Sequence, residues 1–418
     1  MVLTAAAVVV VVFYGVRVQR AARVSRSLTS HWSNPWAAMP SPNAFGYFTA
    51  AAKELRHQKQ IDEAVYPPEL RNTSSEHVYT LAEKEALVRA NRQVLAKLRH
   101  AFTYRFCFPL RYGIEAMCPE FAQYRGFARL FALEGQTKGD RGDWSGAVES
   151  FQDAMLLGQM VPRGSGLMGR LAGNACHARG RFGIWPAVEH LDSATAKRAA
   201  VRMLRPDGRS VPLTETLEEE RWKDSLGLKD IFAGRCKDPD VKDWAKLLPD
   251  FVKRKVLHDY SRFTDEAIRK VQLPYASKPA MPEPKRSLNP LYWPADIILA
   301  IFVPGFDGIW FNDVSCQARD DLIAVALALQ AYHEDHHRYP DKLSVLVPAY
   351  LPRLPADPFA MKATFGYRRE GSHYVLWSVG PDCKDDGGKP ITDPKRPAAY
   401  RHGVTKESKG DIVAGVNL

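Results

Sequence analysis

The residue that most constrains this chain is Pro340. Upstream of it Val314, Ala318, Leu322, Val325, Leu329 and Tyr332 recur at intervals of three or four, the spacing that places side chains on one helix face. A proline inside a helix removes a backbone donor and clashes with the turn before it, and it drives the preceding residue toward extended backbone. A helix is therefore predicted from near Asp313 to the Tyr339-Pro340 step. Ile323, Ala326 and Leu327 widen its apolar face, so both flanks should be covered. Beyond it Thr364-Phe365-Gly366-Tyr367-Arg368 and Tyr374-Val375-Leu376-Trp377-Ser378 alternate as strands do, joined around Gly371, and predict an antiparallel hairpin laid on the helix.

The same hundred residues carry a fixed order of punctuation: Tyr339-Pro340, Leu354-Pro355-Ala356-Asp357-Pro358, Gly366-Tyr367, Ser378-Val379-Gly380-Pro381-Asp382, Gly387-Gly388 and Asp411-Ile412. From Cys316 to Leu418 this order resembles the C-terminal domain of the major pseudopilin of type II secretion systems. The resemblance implies a spine helix with a small sheet packed on it, and a closing Gly/Asp loop that binds calcium. By that resemblance Asp382 matches the Asp of the family's Gly-x-Asp-Gly segment and Asp411 its distal Asp-Ile. Asp385 and Asp386 complete the candidate ligand set, since calcium takes six to eight oxygens from carboxylates and backbone carbonyls on a glycine-permitted turn. The chain departs from the family at Cys383, where glycine is usual, and in the length of Pro390 to Lys409. It also shows no Gly-Phe-Thr-Leu-x-Glu segment and places some 300 residues before the matching region. The expectation is a relative that reuses the fold rather than a filament subunit.

A second pattern competes for attention. His333-Glu334-Asp335-His336-His337 fits H-E-x-x-H, in which two histidines one turn apart hold zinc and the glutamate activates water. That reading makes the chain an anchored hydrolase or metallopeptidase using His333, Glu334 and His337. It needs a helix running through both histidines, and Pro340 stands too close for one. A polar last helical turn, with histidines near the negative end of the dipole, accounts for the same residues. The chain contains no Gly-x-Ser-x-Gly elbow, Walker loop or dinucleotide fingerprint, so a non-catalytic protein is expected.

At the other end, Met1 to Val16 has no charged side chain, runs through Val8 to Val12, and is followed by Arg17, Arg20, Arg23 and Arg26. This predicts an uncleaved membrane anchor with a basic border over residues 1–28. No Lys or Arg precedes the apolar run, and no small-x-small site follows it, as a signal peptide requires. Arginines after the span favour the cytoplasm by the positive-inside rule. A calcium-type loop favours an extracytoplasmic, periplasmic position, and that is the reading adopted. The net charge of +11 is spread along the chain without a block of like charge, so no nucleic-acid partner is expected. Six cysteines lack any C-x-x-C pair, which argues against structural zinc and leaves free thiols or one or two disulfides.

Residues 40–272 read as a helical domain. Thr80-Leu81-Ala82-Glu83 has the form of a capping box, and Leu87, Ala90, Val94, Leu98 and Ala101 follow at helical spacing, predicting one helix from Leu81 to about Phe102. Phe127, Leu130 and Phe131, then Gly142-Asp143-Trp144-Ser145-Gly146-Ala147 with Phe151, Ala154 and Leu157, predict a helical hairpin, either plain or one unit of a tetratricopeptide repeat. Gly164 to Gly183 is glycine-rich without a phosphate-loop lysine and reads as tight helix packing. Pro274, Pro279, Pro282, Pro284 and Pro290 mark an extended linker within residues 273–310. Ile297 to Val303, too short to span a bilayer, reads as a buried segment or a patch lying on a membrane. The expected class is α+β: an anchor, a helical domain that meets protein partners, and a calcium-loop domain over residues 311–418.

Overall fold

The computed structural model describes residues 36–417 apart from 37, 67–76, 114–115, 205–210, 237–244, 246, 286, 304, 362 and 397–400. The expected anchor over residues 1–28 lies outside the described residues. What is described is mostly helical, with one small antiparallel sheet, in agreement with the α+β expectation.

The first helices among the described residues are α1 (Ala44–Glu54) and α2 (Gln58–Val65), and then α3 (Leu81–Ala90) and α4 (Arg92–Ala101). The capping box forms as expected: Thr80 Oγ1 accepts from the Glu83 N–H, and the Glu83 carboxylate accepts from the Thr80 N–H. The single helix expected from Leu81 to Phe102 is instead broken at Asn91. This side chain is wholly buried, donates to the carbonyls of Arg56 and Leu87, and accepts from the Arg56 N–H. A tertiary partner here outweighs helical periodicity, because a buried amide left without partners costs more than one helical turn gains.

Next come α5 (Glu120–Asp140), α6 (Trp144–Met160) and α7 (Gly166–Ala187). Asp143 caps α6 by accepting from the Gly146 N–H at 2.9 Å, so the expected hairpin forms, and α7 packs back across both of its helices. The glycines explain how closely they approach. A Cβ on Gly158 would stand 2.5 Å from the Gly173 carbonyl oxygen, and the Phe151 ring is wedged where side chains on Gly135 and Gly183 would otherwise be. Tight packing, read from the glycines of this stretch, is what the helices do.

A 3-10 turn, Val188–His190, leads to α8 (Ser193–Leu204), followed by α9 (Leu213–Phe232) and α10 (Asp250–Lys270). The segment expected as extended linker is more structured than that. It buries Tyr275 against Trp310 (4.8 Å between ring centres) and Phe359 (5.0 Å), and it carries α11 (Trp293–Phe302). On α11, Ile298 and Leu299 are buried while Ile297 and Ile301 are each 56% exposed. The apolar run is thus half core and half surface.

The last helix, α12 (Phe306–His336), starts seven residues before the expected Asp313, because Phe306, Trp310 and Phe311 find a buried apolar site. From Leu322 to Tyr332 every residue is buried. The small residues Ala196, Ala199 and Ala200 make up the buried part of α8, the helix against which α12 chiefly lies, with α7 and the sheet also in contact. The sheet has order β1 (Gly366–Glu370), β2 (His373–Ser378), β3 (Ile412–Val413), all antiparallel, with Gly366 opposite Trp377 and Trp377 opposite Val413. Among the described residues one run, Pro290–His336, is long and apolar enough to cross a membrane by length and composition. Its second half is the buried core helix just described. All six cysteines are free thiols.

Candidate functional site

The Gly/Asp turn carries Asp382, Asp385 and Asp386, and Asp411, beside β3, joins it through backbone hydrogen bonds. Asp411 is wholly buried, and its carboxylate accepts from the N–H groups of Asp386 (3.2 Å) and Gly388 (2.7 Å). Gly387 and Gly388 have φ of 71° and 85°, the left-handed region that glycine enters without strain. Asp385 accepts from the Trp377 indole N–H and the Gly387 N–H, each at 2.9 Å. Asp382 accepts from the Lys384 N–H at 3.3 Å, and its carbonyl from Lys278. Burial pushes the Asp411 carboxyl up to about 6 against the two backbone donors, and the charges of Asp385 and Asp386 add to that rise. The donor set is all oxygen, which suits a hard cation. In this arrangement the carboxylates of Asp382, Asp385 and Asp411 face N–H donors, and no three His, Cys, Asp or Glu side chains converge as a metal group among the described residues.

Asp357, the acid of the Leu-Pro-x-Asp-Pro segment, was not expected to matter beyond its turn. It is 2% exposed and accepts from Ser378 Oγ (2.7 Å) and from the N–H groups of Val379 (2.8 Å) and Phe359 (2.9 Å). One carboxylate therefore ties two of the ordered motifs together. The sequence signal was an Asp before Pro in a turn; its partner twenty-one residues away was not readable.

The H-E-x-x-H residues do not assemble as that motif requires. α12 ends at His336, and His337 takes φ 54° with its N–H bonded to the His333 carbonyl at 2.7 Å. The two histidines are not on one continuous helix face. His333 stacks on Tyr339, Glu334 accepts from Gln330 at 3.0 Å, and His336 meets the Tyr350 hydroxyl. The turn is held by aromatic and amide contacts.

A different feature stands out among the helices. Between α2, α5, α6 and α7 lies a cavity of about 480 Å³ bordered by Tyr66, Tyr79, Trp144, Phe182, Pro186 and Arg179. Its size falls in the range of roughly 300–1,000 Å³ common for ligand sites. The aromatic rings are fixed from behind. Trp144 stacks on His190 at 4.1 Å, and the Arg179 guanidinium lies 4.1 Å over the Tyr66 ring while donating to its hydroxyl at 2.6 Å. Sequence reasoning missed this site because its walls come from helices more than a hundred residues apart, and only the glycines of α5 and α7 hinted at close approach.

Comparison with protein-family models, curated proteins and solved structures finds no match to the chain.

Proposed function

We propose that this chain is a membrane-anchored, extracytoplasmic, non-catalytic protein that recognises a partner through its helical half and presents a pseudopilin-like C-terminal region in the cell envelope. The observation that carries the reading is the aromatic cavity of the α5, α6 and α7 stack: a site with walls for apolar contact and a cation. The hairpin that forms it is the one read as tetratricopeptide-like. Calcium at the Gly/Asp turn belongs to the proposal, with Asp382, Asp385, Asp386 and Asp411 as its ligands. Its support is that Asp385 and Asp386 add to the rise that burial gives Asp411, a repulsion that a divalent cation relieves.

The membrane part rests on the charge-free run Met1 to Val16. The exposed stripe of Ile297 and Ile301 on α11 offers a second, weaker contact with lipid. Full-length protein should remain in carbonate-washed membranes, a chain lacking residues 1–28 should be released, and a reporter fused after Leu418 should be active outside the cytoplasm. Retention of the truncated chain would move the anchor to α11, and a cytoplasmic reporter would overturn the extracytoplasmic assignment.

A further inference from the structure

The cavity beside α7 contains the guanidinium of Arg179. Arg179 donates to the Tyr66 hydroxyl, stacks on that ring and lies 5.9 Å from the Phe182 ring. No carboxylate pairs with it among the described residues. The described acids around the site are already engaged. Asp62 binds Arg129 at 2.7 Å, Glu63 accepts from the Tyr79 hydroxyl at 2.9 Å and faces Lys59, and Asp140 faces Lys84 at 3.6 Å. Burial, together with repulsion from Arg129, lowers the Arg179 pKa. A guanidinium partly withdrawn from water without an anion is costly, and its planar fork fits a carboxylate bidentately.

We propose that this cavity binds a free carboxylate carried on an apolar or aromatic body, with the carboxylate at Arg179 and the body among Trp144, Phe182 and Pro186. The Lys84–Asp140 pair, where α3 begins, is itself neutral as a unit, so it does not compete for the anion. Such a carboxylate comes either from the C-terminus of a peptide ending in a large apolar residue or from a small aromatic acid. The proposal rests on the reading of the helical half as a recognition surface and names what it recognises.

The test uses the full chain in nanodiscs and calorimetric titration with acetylated tripeptides ending in Leu, Phe or Trp. Each is compared as the free acid and as the C-terminal amide, with 3-phenylpropionate as the small acid. The expected result is acid binding about tenfold or more tighter than amide, the factor that a charged hydrogen bond supplies. Arg179→Gln should bring the two together, and Arg179→Lys should restore part of the difference, which shows that the charge and not a collapsed fold is responsible. Peptide acids binding more tightly than 3-phenylpropionate identify the C-terminus as the source, and the reverse identifies the small acid. Equal binding of acid and amide by the unaltered chain overturns the carboxylate proposal but leaves the cavity a recognition surface. Binding by none of these probes overturns both.

Discussion

At the scale of single residues, the acids of the C-terminal region divide by what they face. Asp357 is a fastener: each of its three hydrogen bonds contributes about 0.5–1.5 kcal/mol net, and it joins the chain before the hairpin to the chain after it. Asp411 is also buried, and its carboxyl is raised by burial with Asp385 and Asp386 adding to that rise, so a bound cation would change its state. Asp386 is exposed and joins the loop through its N–H rather than its carboxylate, which makes it the cleanest place to remove a ligand. Calcium that binds the folded state alone adds RT ln(1 + [L]/Kd), about 2.7 kcal/mol at a hundredfold excess over Kd. A chelator should therefore lower the melting temperature of the full chain, and Asp386→Ala should erase that response while leaving the chelated protein as stable as before. Superimposable melting curves with calcium and with chelator would remove calcium from the account. The positions of these acids were legible as a cluster in the sequence. Their separate jobs were not, because a carboxylate's role depends on which donors the fold turns toward it.

At the scale of elements, the helical core is organised by small residues at crossings. The Gly158–Gly173 contact leaves no room for a methyl group: Ala at 158 would meet a backbone carbonyl and the His177 backbone nitrogen, and backbone cannot rotate away. Gly158→Ala should cost about 1–3 kcal/mol through overpacking. Gly46 lies in α1 with nothing within 4 Å of its would-be Cβ, and there Ala should stabilise by roughly 0.5–1 kcal/mol, the helix-propensity difference. Urea denaturation of the two variants tests the opposite signs. Equal effects would mean that α6 and α7 do not cross as closely as described. Periodicity identified α6 and the body of α12, while Asn91 shows its limit. The sequence of α3 and α4 reads as one amphipathic helix, and only the Arg56 backbone, brought alongside by α1 and α2, gives the amide a reason to break it.

At the scale of the whole molecule, burial of acids sets the response to pH. Burial pushes Glu219 up to about 7 even though it accepts from the Gly164 and Gly166 N–H groups at the start of α7. It does the same to Asp321, also to about 7, with neighbouring Asp320 adding to the rise, and Asp411 reaches about 6. In the unfolded chain these groups release their protons near pH 4. Between about pH 4 and pH 7 the folded state therefore holds protons that the unfolded state has lost, so stability falls as pH rises through this window. The melting temperature at pH 5 should exceed that at pH 8, with Glu219→Gln reducing the difference; a higher melting temperature at pH 8 would contradict the buried state of these acids. The sequence alone established that a long helix stops before Pro340, that a hairpin follows it, that the middle of the chain is helical and that four aspartates share the last loop. These follow from local causes: proline's missing donor, the two helical and strand periods, and the turns that glycine permits. Only the tertiary structure decided that α12 begins at Phe306, that His337 leaves the helix, that Asp357 fastens the C-terminal motifs, and that Arg179 stands in an aromatic cavity with no carboxylate paired to it among the described residues. Each of these depends on which distant segments share a volume, and burial and electrostatic partners are properties of that shared volume rather than of neighbours along the chain.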